Sequence, residues 1–264
     1  MKIYYPTQYI RTFGTGTNKP ILVFAIDFEG NRKVVVVKLL KSERMGVEAF
    51  LRETMATLIG QKMGISMPDL ALVEITNDFT QVMVQNNDEY QRVYESTGLN
   101  FGCNFIANLQ QLSLLDNLKN SQVNDALKIF YFDVMIQNAD RTIEGGKPNL
   151  FFRDDHLYIL DHELAFSFLF PIIGRQPTDS WIINDFDKIM IENHILFSKL
   201  KNKVKDFSCL DDILVPLTSD FWKEAESAIP DDWLSKDFEK IREHVVAIKE
   251  NSAAFLEQII TLLS

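Results

Sequence analysis

Cysteine is nearly missing from this chain of 264 residues: only Cys103 and Cys209 occur. Two distant cysteines build no disulfide framework, and neither sits in a CxxC or Cys/His pair of the kind that binds zinc, so a reducing, cytoplasmic setting is expected. Basic charge is also short, with 27 Lys and Arg against 37 Asp and Glu and a formal charge of -10. That balance repels phosphate backbones, and no local basic patch offsets it, so direct nucleic-acid binding is not expected. Long apolar runs are missing too. The most apolar stretch, Leu164 to Ile173, is too short to cross a bilayer and contains Pro171. The first residues, Met1 to Phe13, alternate polar and aromatic side chains and lack the basic start and apolar core of a signal peptide. No membrane association is expected. A Walker P-loop is absent as well, because no glycine-rich loop enters a helix through Lys-Ser or Lys-Thr.

What is present is apolar material for a core, 46% of residues with 11% aromatic, enough for one large domain or two modest ones. The pattern predicts strands at Tyr9 to Phe13, Ile21 to Asp27 and Lys33 to Leu40, joined by Gly14-Thr15-Gly16-Thr17-Asn18-Lys19-Pro20 and Glu29-Gly30-Asn31. A three-stranded antiparallel meander follows from that order. Apolar residues at helical spacing predict one helix over Val47 to Met63, stopped by Gly64. Two short strands, Leu70 to Ile75 and Gln81 to Gln85, flank Asn77-Asp78 read as a turn, and a lobe boundary is placed near Asn86. Beyond it a helix is expected over Val123 to Gln137, a loop over Asn138 to Asn149, and a hairpin from Leu150 to Phe152 and Leu157 to Leu160. Asp185 to Lys201 and Phe238 to Leu263 read as further helices. The expected fold is α+β and two-lobed: residues 1–86 an antiparallel sheet plus one helix, residues 87–264 mainly helical.

Phosphoryl transfer needs a cover for the phosphates, a cation on them, a carboxylate for the acceptor, and oxygen ligands for magnesium. Lys38 closes Val34-Val35-Val36-Val37-Lys38 and either caps a strand in solvent or points inward. Glu53 is its proposed helix partner, although it lies off the centre of the apolar stripe, and Glu48 is the alternative. The loop carrying Gly14, Thr15, Gly16 and Thr17 joins two strands, so its backbone can lie over phosphates or form a plain hairpin turn. Asp140 follows an amphipathic helix, Asn149 opens an apolar run and Asp161 closes the next. Taken singly these are a capping aspartate, a turn asparagine and a loop aspartate; together they bring hard oxygen groups to strand ends where they can converge.

At Asn138-Ala139-Asp140-Arg141-Thr142, Asn149-Leu150-Phe151-Phe152 and Leu160-Asp161-His162-Glu163 the sequence resembles the HipA-like kinases, a compact bacterial branch of the protein-kinase-like fold. The resemblance runs from the Gly14 loop through Lys38, Glu53, Gly64 and Phe101-Gly102-Cys103 to Asp161, and on to Ile229-Pro230-Asp231-Asp232-Trp233-Leu234. It implies ATP and magnesium as cofactors, Asp140 as catalytic aspartate, Asn149 and Asp161 as metal ligands, and Lys38 as phosphate contact. It also implies a protein serine or threonine as acceptor and an antitoxin-type protein partner. A lipid or small-molecule kinase of the same fold, and a pseudokinase or toxin-neutralising binding module, are the alternatives. The sequence departs from the pattern of other kinases in two ways. Asp140 and Asn149 are nine apart, against five in a typical protein kinase, so Ile143 to Pro148 must bulge. Asp161 is followed by His162-Glu163 rather than Phe-Gly. Arg141 stands near the γ-phosphate or makes a structural salt bridge, and His162 is read as packing or hydrogen bonding.

Overall fold

A computed structural model describes residues 1–14, 17–83, 89–143, 148–170 and 179–264. They form two compact units interleaved along the chain: residues 1–54, 68–107 and 228–233 in the first, and 55–67, 108–227 and 234–264 in the second. The sequence-placed boundary at Asn86 lies outside the described residues.

In the first unit, β1 (Ile3–Thr12), β2 (Ile21–Ile26) and β3 (Arg32–Lys38) make the expected antiparallel meander. Helix α1 (Val47–Lys62) follows, with residues 47–54 in this unit and the rest in the second, and Gly64 ends it at φ +76. Only glycine takes that left-handed backbone without strain. Next come β4 (Leu70–Ile75), α2 (Asn77–Val82), α3 (Tyr90–Glu95) and β5 (Gly98–Asn104). The strand order β1-β2-β3-β5-β4 closes a barrel, because Ile3 and Tyr4 of β1 pair in parallel with Leu72 and Val73 of β4. Its interior is filled by Ile21, Val23, Val35, Val37, Ala71 and Val73, the alternate residues of each strand. Gly102 admits that filling, since a Cβ there would stand 2.6 Å from Val73 Cγ2.

Three expectations fail here. The sheet is not wholly antiparallel, and α1 is not the unit's only helix. Gln81 and Val82 are helical rather than a strand, while Gln85 lies outside the described residues. The reason is local: Thr76 accepts the Phe79 N–H at 3.2 Å, so Asn77-Asp78 opens a capped helix instead of turning a hairpin. The strand expected there is supplied by β5.

In the second unit β6 (Gln110–Gln111) precedes α4 (Val123–Met135), and β7 (Leu150–Arg153) and β8 (His156–Ile159) form the expected hairpin, with β6 along β7. The chain continues through α5 (Asp185–Glu192), α6 (Phe197–Leu200), α7 (Ser219–Ala228), α8 (Lys236–Glu250) and α9 (Ser252–Leu263). Two helices expected to be continuous are broken: Asn193 caps α5, and Asn251 separates α8 from α9. α4 is the axis of this unit, burying Leu127, Ile129, Phe130, Tyr131 and Phe132, each side chain contributing about 1.5–3 kcal/mol. Tyr131 meets Phe255 of α9 edge-on, and Phe130 stacks with Phe197 of α6.

Candidate active site

Alternation along β3 turns Val35 and Val37 into the barrel, so Lys38 faces the other way, toward α1. Its Nζ lies 3.1 Å from Glu53 Oε1, and the two side chains are 10% and 4% exposed. The Phe101 ring lies 5.9 Å from the ammonium, within cation–π reach. Glu53 is therefore the residue brought to Lys38, whereas Glu48 is exposed in the first turn of α1. Gly14 and Thr17 are exposed in the β1–β2 connection, and Thr15 and Gly16 lie outside the described residues. The connection is tied at its end by Asn18, whose Oδ1 accepts the Arg44 N–H at 3.2 Å and whose carbonyl accepts from Ser42 Oγ at 3.1 Å. Arg92 Nη2 donates to the carbonyls of Asn18 and Lys19 at 3.0 and 2.9 Å. Nothing in the local sequence singles out Arg92, which reaches the loop from α3.

In the second unit the β7–β8 register sets the geometry. Leu150 pairs with Ile159, and Leu160 donates its N–H to the Asn149 carbonyl at 3.2 Å. Asn149 and Asp161 thus emerge together at the open end of the hairpin, away from the Asp154-Asp155 turn. Both take left-handed backbone, φ +46 and +67. Asn and Asp tolerate that region best after glycine, and such positions gather at functional sites. Asp140 joins them: Asn149 Nδ2 donates to Asp140 Oδ2 at a long 3.4 Å. All three side chains are half-buried.

A buried network centred on Asp133, to which sequence reasoning gave no role, holds this loop in place. Asp133, the single charge in the apolar run Ile129 to Ile136, accepts Asn138 Nδ2 at 2.8 Å, Arg141 Nε at 2.6 Å and His194 Nε2 at 3.0 Å. His194 Nδ1 accepts the Leu196 N–H at 3.1 Å, which leaves the Nε2 proton to Asp133. Burial alone would raise the Asp133 carboxyl, but the Arg141 guanidinium and the His194 and Asn138 hydrogen bonds hold it far below the usual carboxylate range. Asn138 Oδ1 accepts the Asp140 N–H at 3.3 Å. Arg141 Nη1 donates to the carbonyls of Pro148 and Asn149 at 2.9 and 2.8 Å, and its Nη2 meets His162 Nε2 at 3.1 Å. Arg141 is 1% exposed, so the structural salt bridge is the correct reading and a place at the γ-phosphate is not. A lone aspartate inside an eight-residue apolar run was the available signal, because a buried carboxylate requires partners.

Among the described residues no group of three or more His, Cys, Asp or Glu side chains is arranged for a metal ion. The donor set still suits magnesium. Magnesium keeps water and substrate phosphates and takes one or two hard protein oxygens, which Asp161 and the Asn149 amide carbonyl supply. Asn138, the other asparagine of the loop, is committed to Asp133.

A family model described as HipA-like kinase matches residues 30–258. The Helicobacter pylori proinflammatory kinase CtkA has a similar solved structure, with a TM-score of 0.50, 12% identity, and coverage of 96% of this chain and 96% of that one. At that identity the likeness concerns the fold. A MAP kinase from Leishmania major aligns over 95% of this chain and 82% of its own at 11% identity, and its TM-score of 0.29 carries no weight. No curated protein matches. With most of its length under the family model, the chain belongs to the HipA-like kinase family.

Proposed function

We propose that the chain transfers the γ-phosphoryl group of ATP, with magnesium, to a serine or threonine hydroxyl of a protein. The observation that carries this is the meeting of Asp140, Asn149 and Asp161 around one loop and hairpin end, where each presents an oxygen. Asp140 accepts the proton of the acceptor hydroxyl as its oxygen bonds to the γ-phosphorus and the bond to the β–γ bridging oxygen breaks, releasing ADP. Asn149 and Asp161 hold magnesium, which when bound offsets phosphate charge. Lys38, oriented by Glu53, is the phosphate contact of this reading, and Gly14, Thr15, Gly16 and Thr17 are its proposed phosphate cover, of which Thr15 and Gly16 lie outside the described residues. Asp133 and Arg141 act through the loop they fix. The cytoplasmic setting is an expectation from the scarcity of cysteine, and an antitoxin-type partner is an expectation by family analogy.

Asp140→Asn tests the central role. It keeps the side-chain shape, so the folded variant binds magnesium ATP as wild type does while transfer falls on the order of 10²–10⁴-fold. Asp161→Asn instead weakens metal-dependent nucleotide binding, because a negative charge beside a divalent cation is lost. Labelled ATP with a host lysate separates the acceptors: a labelled lipid or metabolite rejects the protein acceptor, and full transfer by Asp140→Asn rejects the catalytic assignment.

A further inference from the structure

The second unit has a cavity of about 100 Å³ whose lining includes Gln137, Asn138 and Ala139, the residues just before Asp140, together with Ile182, Phe186 and Met190. Of its lining, Ile182 and Phe186 are 37% and 43% exposed, and Ile189, one turn along α5 from Phe186, is 58% exposed. α5 anchors itself through Ile191, which is buried, so this outward apolar stripe is not needed to hold the helix. Isolated exposed apolar residues are ordinary, but a stripe continuous with the lining of a cavity marks a contact surface. The surroundings are acidic: Asp187 lines the cavity and Asp179, Asp185 and Glu192 are exposed nearby, while the one lysine of α5, Lys188, is paired to Asp185 at 2.9 Å.

Resting on the kinase reading above, we propose that this groove docks the acceptor protein through an apolar side chain flanked by lysine or arginine, close to the hydroxyl residue. The apolar side chain enters beside Phe186 and Met190, and the basic neighbours meet Asp179, Asp185 and Asp187. Gln137, Asn138 and Ala139 of the groove's lining immediately precede Asp140 in the chain, and Asn138 Oδ1 accepts the Asp140 N–H at 3.3 Å, which ties the groove to the group that receives the proton. The same acidic rim opposes an anionic membrane surface, which favours a peptide segment over a lipid headgroup.

The test uses the whole protein, labelled ATP, and mixed serine peptides in which each flanking position is fixed in turn. Label should concentrate on peptides with an apolar residue and Lys or Arg near the serine. Phe186→Ser should raise the KM of the preferred peptide about tenfold while leaving the KM for ATP unchanged. Asp185→Lys should erase the basic preference. All these side chains are exposed, and an unchanged melting temperature verifies folding. Transfer with no flanking preference, or a peptide KM indifferent to Phe186→Ser, overturns the groove and leaves the kinase reading standing. If no peptide is labelled, the kinase reading is what has failed for peptides, and a second arm decides on the groove. Peptides carrying a photoreactive leucine beside arginine are crosslinked without ATP and mapped: adducts on residues 182–190 support docking there, and adducts elsewhere overturn it.

Discussion

Lys38–Glu53 in the first unit and Arg141–Asp133 in the second are both ion pairs withdrawn from water, and they are built differently. The side chains of Arg141 and Asp133 are 1% and 0% exposed, and the guanidinium spreads over a carboxylate, two carbonyls and an imidazole. Lys38 keeps 10% of its side chain open and ends as a compact ammonium on a flexible stem. A planar fork that reaches two carbonyls of the neighbouring loop fixes geometry. A point charge with residual access to solvent suits a ligand that comes and goes. Residual access to solvent and the directions in which the donors point together separate the two pairs.

The largest effect expected is from Asp133→Ala, which leaves Arg141 buried without its carboxylate. Unfolding by denaturant should show a loss of about 3–5 kcal/mol, and a value near zero would erase the contrast between the pairs. Glu53→Ala should destabilise less, about 1–3 kcal/mol, because Lys38 retains a path to water, while phosphoryl transfer falls out of proportion to that loss. The acid limb gives a finer distinction. Since Asp133 has a folded pKa depressed below its usual 3.8, its contribution is full above that value and is lost as pH falls below it. The stability gap between wild type and Asp133→Asn should accordingly narrow below about pH 4. Glu48→Ala should change stability by less than about 0.5 kcal/mol and leave transfer intact, and damage there would return the pairing question to the other glutamate.

Local signals in the sequence carried β2, β3, α1 and α4, because β-branched runs and helical spacing act over a few residues. They also placed Asp140, Asn149 and Asp161 at the ends of a helix and two strands, where the structure has them. Two kinds of feature escaped. Asn77-Asp78 reads equally well as a turn or as the first turn of a helix capped by Thr76, and reading it as a turn put Gln81–Val82 in a strand. The parallel pairing of β1 with β4, the reach of Arg92 to Asn18, and the approach of His194 to Asp133 all join residues far apart in sequence, for which periodicity holds no information. The break after α5 has the same origin: His194 leaves the helix path to meet Asp133. Glu53, off the apolar stripe yet 3% exposed, shows a tertiary partner overriding amphipathic pattern.

The first unit includes residues 228–233, and Trp233 packs on Phe50 with ring centroids 4.8 Å apart. A ribosome making this chain delivers the barrel long before the tryptophan that packs on α1. At 5–20 residues per second the wait is on the order of 10 s, during which Phe50 has Phe101 beside it but lacks its nearer aromatic neighbour. The barrel region expressed alone as residues 1–107 should therefore be prone to self-association, and supplying a peptide of residues 228–233 in trans should reduce it.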